Sequence, residues 1–124
     1  MEGSVRLEKN NNIGRIHFYH PKGNSLPSAL LKQLVQTFQA ADKDPEIRVI
    51  ILESQGKAFC AGASLSELKK VKTPEEGTAF FMGFARLLNT LRSLSKFVLA
   101  RVHGKVVGGG VGLVSACDYA FATE

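Results

Sequence analysis

Apolar and polar residues alternate at the start of the chain. Val5 and Leu7 are interleaved with Arg6 and Glu8, and Ile16 and Phe18 with Arg15, His17 and Tyr19; the polar run Lys9 to Asn12 lies between. Period-two alternation on both sides of a turn predicts a β-hairpin. The period then changes. Leu30, Leu31, Leu34, Val35, Phe38 and Ala41 recur at three- and four-residue spacing, announced by Ser25 and Pro27 and closed by Asp44-Pro45. This predicts a helix with one buried stripe. Val49-Ile50-Ile51-Leu52 is apolar at every position, as a strand covered on both faces would be, and is the candidate for a central parallel strand.

A glycine-bearing loop follows, then a short helix predicted from Ser64 to Lys70. Thr73-Pro74-Glu75-Glu76 has the composition of a capped helix start, which accounts for both glutamates. Phe80, Phe84, Leu87, Leu88 and Leu91 mark the buried side of the longer helix that it opens, and are core rather than a platform for stacking bases. Phe97 to Val102 reads as a second apolar strand, His103 to Gly110 as a second glycine-rich loop, Val111 to Cys117 as the start of a helix, and Tyr119 to Thr123 as a further strand. Strand, glycine loop and helix in recurring order argue for an α/β fold with a parallel or mixed sheet and right-handed crossovers. Glu124 is expected to close a strand with nothing after it to cover the new edge.

Composition narrows the field. A chain of 124 residues with 44% apolar residues fits one globular domain. Sixteen Lys and Arg against eleven Asp and Glu give a net charge of +5, but the charges are scattered. The densest group, Lys69, Lys70 and Lys72, reads as a solvated helix end, so nucleic acid is not the expected partner. Two cysteines, Cys60 and Cys117, are too few for a disulfide framework, and no ligand spacing suggests a metal. No signal segment or apolar run of ~18 residues is present, so a soluble protein of a reducing cytoplasm, away from membranes, is expected.

The two glycine segments, Cys60-Ala61-Gly62-Ala63 and Gly108-Gly109-Gly110, carry the chemistry. Both lie beyond the carboxyl ends of predicted strands, where ligands of open α/β sheets collect. Glycine lets backbone amides approach a ligand, and a helix start adds unpaired N–H groups with the positive end of the dipole. Amides converging from two loops suit a developing enolate or tetrahedral oxyanion. The spacing of Gly108, Gly109, Gly110 and Gly112 does not fit a dinucleotide fingerprint.

Taken in order, Lys57-Ala58-Phe59-Cys60-Ala61-Gly62-Ala63-Ser64-Leu65, then Val102-His103-Gly104-Lys105-Val106-Val107-Gly108-Gly109-Gly110, then Ala116-Cys117-Asp118-Tyr119-Ala120 resemble the enoyl-CoA hydratase/isomerase (crotonase) family. The opening His20-Pro21-Lys22-Gly23-Asn24-Ser25-Leu26 resembles that family's first turn. The resemblance implies a spiral of ββα units, here the part of a single acyl-CoA-binding domain that precedes a C-terminal helical region. It implies a thioester oxygen held by the amides of Ala63 and Gly109, with Ala61, Ser64, Leu65, Ser66, Lys22 and Gly108 against the substrate. Coenzyme A then enters as part of the substrate, with no covalently bound cofactor, and full-length members assemble as trimers or trimer pairs.

Two departures bear on the reaction. The family's hydratases carry a catalytic glutamate two residues after the triple glycine, where this chain has Gly112, and a second one lies beyond residue 124. An acidic residue common after the Ala-Gly-Ala stretch is Ser64 here. Chemistry needing a single acid/base, such as double-bond isomerisation, stays open beside hydration, and the alternative is a non-catalytic CoA-binding or assembly module. Glu53, Glu67 and Asp118 are the carboxylates that remain as candidate bases, Glu67 first by position, although its context is first that of an ordinary exposed helix glutamate; Asp118 reads as a backbone cap. His103 is expected to hydrogen-bond at a strand end, and His17 and His20 to sit on strand surface and turn. Cys60 and Cys117 are expected to be buried thiols rather than nucleophiles.

Overall fold

The computed structural model describes residues 2–123. In chain order the elements are β1 (Ser4–Asn10), β2 (Ile13–Tyr19), β3 (Ser25–Leu26), α1 (Ser28–Lys43), β4 (Val49–Ser54), β5 (Ala58–Cys60) and β6 (Gly62–Ala63). There follow α2 (Leu65–Leu68), α3 (Pro74–Ser93), β7 (Phe97–Val102), β8 (Lys105–Val106), α4 (Gly109–Ala116) and β9 (Tyr119–Ala122). The hairpin β1–β2 is antiparallel, with Leu7 opposite Ile16. Its turn is tighter than the polar run suggests: Asn11 and Asn12 alone make it, both at positive φ (52° and 67°), a conformation asparagine tolerates and two-residue hairpin loops require.

Beyond the hairpin the sheet is parallel. β4 pairs with β2 on one side and β7 on the other, and β9 adds to β7, giving the order β1-β2-β4-β7-β9. Val49-Ile50-Ile51-Leu52 thus lies in the central strand, and everything from Ile50 to Ser54 is buried. Alternation along the strands sends Ile16, Phe18, Ile50, Leu52, Val98 and Ala100 to one face, where they join Leu30, Leu34 and Phe38 of α1 and Leu87 and Leu91 of α3 in the hydrophobic core. Each of these side chains other than that of Ala100 contributes roughly 1.5–3 kcal/mol by leaving water.

The opposite face is polar and aromatic. Glu53, buried on β4, is flanked by Arg15 and His17 of β2 and Arg101 of β7, at 3.4, 3.2 and 3.4 Å. Phe97, Tyr119 and Phe121 are exposed on the outer strands. β9 is exposed along its length, and the expectation about Glu124 falls outside the described residues.

Three departures from the sequence reading have simple causes. The helix announced by Ser25 starts at Ser28 with Pro27 as its cap, because Ser25 and Leu26 are taken up by pairing with Gly62 and Ala63. The short helix is confined to Leu65–Leu68, and Lys69 and Lys70 continue it only as a turn. Both glycine loops contain short strands: β5 runs parallel to β8, and β6 to β3. β2, β4 and β7 are therefore each followed by one or two short strands and then a helix, a ββα unit repeated through the chain.

Candidate functional site

The short strands bring the glycine segments together. β5 and β8 pair Ala58 with Lys105 and Cys60 with Val106, and the Val107 N–H donates to Cys60 O at 3.1 Å. Gly62, at φ +90°, lies so close to the second loop that a Cβ there would stand 2.9 Å from the Gly109 nitrogen and 3.1 Å from Val107 O. A Cβ on Gly110 would stand 2.5 Å from Cys60 O. Only glycine satisfies both contacts.

α4 starts at this seam. Its cap, Gly108, has φ 58° and ψ −132° and no side chain to offer. The Gly110 and Val111 amides close on Val107 O and Gly108 O at 3.0 and 3.1 Å. Gly109 is the first residue of α4 and its amide has no acceptor inside the helix, so its N–H stands at the positive end of α4 beside the strand that carries Ala63.

Beside the seam, a cleft of about 220 Å³ is lined by Lys22, Ser25, Ala61, Ala63, Ser64, Leu65 and Ser66. Six residues predicted to meet the ligand line this cleft, and Gly108 and Gly109 adjoin it through Ala61 and Gly62. Lys22 reaches over its rim to donate to Ser66 Oγ at 2.9 Å, leaving an ammonium group at the mouth. The Ser64 hydroxyl is buried and accepts the Glu67 N–H at 3.2 Å, capping α2. Leu65 is exposed on the other lip. The turn that places Lys22 is pinned by Asn24: its side chain accepts the His20 N–H at 2.7 Å and donates to Gln55 O and Ala58 O. A groove of about 300 Å³ between α1 and α3, lined by Leu31, Val35, Ala79 and Gly83 among others, shares no lining residue with the cleft.

The candidate bases are engaged elsewhere. Glu67 accepts both the N–H and the hydroxyl of Ser28, at 2.8 and 2.5 Å, supplying from α2 the cap that Pro27 cannot give α1. It is not an ordinary exposed glutamate, nor is its carboxylate free to serve as a base. Glu53 is held among Arg15, His17 and Arg101 on the sheet face away from the core. Asp118 clasps β7, accepting the Val98 N–H at 2.7 Å while its own N–H donates to Val98 O at 2.9 Å. Gly112 faces α3, where a Cβ would meet Leu88 Cδ1 at 3.4 Å.

His103 Nε2 hydrogen-bonds Gly56 O at 2.6 Å, as expected of a strand-end histidine. His20 is more buried than a turn residue suggests, its Nδ1 accepting the Lys22 N–H, and His17 is part-buried beside Glu53. Burial pushes the Cys60 thiol up to about 11 and the Cys117 thiol up to about 12, so neither is a nucleophile at neutral pH. Among the described residues no cluster of three or more His, Cys, Asp or Glu could hold a metal ion.

A sheet with a helical face, short strands gathering two glycine loops, and a helix opening on the second loop define a crotonase-like fold. A crystal structure of an enoyl-CoA hydratase from Mycobacterium smegmatis superimposes with a TM-score of 0.89 at 29% identity, over 95% of this chain and 47% of that one. The sequence profile of the enoyl-CoA hydratase/isomerase family matches residues 8–124, and the chain belongs to that family. It is 34% identical to a short-chain-enoyl-CoA hydratase of Clostridium acetobutylicum, over 98% of this chain and 47% of the relative. To the ethylmalonyl-CoA decarboxylase of Mus musculus it is 32% identical, over 98% of this chain and 38% of the relative. The chain thus spans less than half the length of these relatives.

Proposed function

We propose that the cleft beside the glycine seam binds an acyl-CoA thioester, with the thioester oxygen at the amides of Ala63 and Gly109. The contact of Gly62 with the Gly109 nitrogen carries this reading, because it sets the two donor-bearing segments side by side. Two preorganised N–H donors in a water-poor site stabilise an enolate more than the neutral carbonyl, and loss of one such donor costs about 2.7–4 kcal/mol in the transition state. Lys22 at the cleft mouth suits the anionic phosphates of CoA, and Leu65 an apolar stretch of its pantetheine arm.

The names of the relatives support the substrate class more firmly than the reaction. Hydratase and decarboxylase share a CoA thioester and differ in the bond that changes. Hydratase or isomerase chemistry needs a proton carrier at the α-carbon. Gly112 cannot be one, and Glu53, Glu67 and Asp118 are bound in structural contacts. No carboxylate among these three is free to carry the proton; a second reading is a CoA-binding or assembly module that keeps the thioester site without proton transfer. The unpaired thiols suit a reducing compartment, the cytoplasm in this reading. Self-association is part of this reading, and the exposed aromatics of β7 and β9 offer apolar surface for it.

Calorimetric titration with CoA, acetoacetyl-CoA and an S-alkyl CoA thioether that lacks the carbonyl tests the site. The thioester is expected to bind about tenfold tighter than the thioether, the worth of one or two hydrogen bonds. Equal affinity would remove the oxyanion site from the reading, and no binding of any CoA derivative would remove the ligand class. Proton exchange at the α-carbon of the bound thioester in deuterated water separates the enzyme from the module.

A further inference from the structure

The Gly108–Gly110 turn is built from residues with the widest backbone freedom, yet a donor aimed at one point must be held still. Neither a side-chain cap nor a long strand fixes it: Gly108 offers no cap bond, and β8 is only two residues long. Backbone hydrogen bonds of Val107, Gly110 and Val111 close the turn, and packing bounds it on two sides. On one side is Gly62. On the other is the ring of Phe84, from the middle of α3, whose Cε1 and Cζ lie 3.0 Å from where a Gly109 Cβ would stand. One turn further along each helix, Leu88 rests against Gly112 in the same way, at 3.4 Å. α3 thus presents Phe84 and Leu88, four residues apart, to glycines three residues apart on α4, and the ring closes the wall behind the Gly109 amide.

We propose that Phe84 is a positioning residue for the thioester site: its ring holds the Gly109 N–H on the ligand oxygen while taking no part in binding the CoA moiety. The assignment rests on the acyl-CoA reading above and adds to it a residue that neither glycine motif contains. Its physical basis is that the three heavy atoms nearest to a Cβ on Gly109 all belong to the Phe84 ring. Removing the ring leaves a void beside three consecutive glycines, and the turn gains conformers in which the amide points away. Affinity for the carbonyl then falls, whereas contacts from Lys22, Ser64 and Ser66 to the rest of the ligand are untouched.

Phe84→Ala and Phe84→Leu in the full chain test this, with CoA, acetoacetyl-CoA and the carbonyl-free thioether as probes. Infrared difference spectra of a thioester carrying a ¹³C-labelled carbonyl report how strongly that carbonyl is polarised when bound. The expected result is CoA affinity within twofold of the unmodified chain, a three- to tenfold loss of preference for thioester over thioether, and a smaller carbonyl shift, graded from Leu to Ala. A variant that keeps CoA affinity and also keeps both the preference and the carbonyl shift overturns the proposal. Where Phe84→Ala loses CoA affinity through misfolding, Phe84→Leu decides by the same two readouts. An unmodified chain that binds CoA but shows no thioester preference refutes the oxyanion reading itself, a result distinct from failure of the Phe84 assignment.

Discussion

At Gly62 and Gly110 the missing side chain is a condition of contact, and substitution should show it. Gly62→Ala combines a left-handed backbone with a Cβ 2.9 Å from the Gly109 nitrogen, and Gly110→Ala drives a Cβ to 2.5 Å from Cys60 O. The backbone conformation alone costs about 1–3 kcal/mol at Gly62, and neither steric conflict is with a flexible side-chain end. Denaturant titration should give losses of at least about 2 kcal/mol for each. Gly112→Ala is the control: its Cβ meets Leu88 at ordinary contact distance inside a helix, so stability should hold or rise by up to about 1 kcal/mol. The thiols add a pH prediction. A thiol whose pKa is raised on folding holds its proton more tightly in the native state, so its contribution is complete below about pH 9, the ordinary thiol value, and is lost as pH climbs toward 11 for Cys60 and 12 for Cys117. Stability should fall across that window, less steeply in Cys60→Ala. Below it, alkylation of Cys60 should track unfolding. The sequence showed where glycine stands at the seam; which atoms make glycine obligatory there is visible only when the loops are brought together.

Element boundaries were legible where a pattern ran long enough to have a period. The hairpin, α1 and α3 show their alternation or stripe over six or more residues, and the central strand shows as an unbroken apolar run. β3, β5, β6 and β8, of two or three residues each, have no period to read and exist because a distant partner satisfies their backbone groups. The same remoteness hid the role of Glu67. Local sequence makes it a helix glutamate, whereas its carboxylate caps a helix that starts at Ser28. Glu67→Ala should lower stability by about 1.5–3 kcal/mol, as for a lost hydrogen bond to a charged group, with thioester affinity changed little. A large loss of α-proton exchange without loss of stability would return Glu67 to the list of bases. Thr73, by contrast, caps its own helix by accepting the Glu76 N–H at 3.1 Å, a role its sequence context announces, and Thr73→Ala should cost about 1 kcal/mol.

Over the whole molecule, one sheet face is buried by helices and the other carries charged clusters and exposed rings. Phe97, Tyr119 and Phe121 are 51%, 60% and 46% accessible on the adjoining strands β7 and β9, the surface on which the proposed self-association can be tested. Sedimentation velocity should show an average mass that rises with concentration, and Phe121→Glu should lower it. The contact between Gly62 and Gly109 has a consequence on the same scale. It joins segments that are distant in the chain and exists only after β4, β7 and their crossover helix have assembled, so partly unfolded forms carry no ligand affinity. The proposed binding at the seam would then be thermodynamically linked to folding as a whole: a thioester at a hundred times its dissociation constant should add about 2.7 kcal/mol to stability. Thermal melts over a series of CoA thioesters would rank their affinities without any assay of turnover, and would do so equally for an enzyme and for a module that only binds.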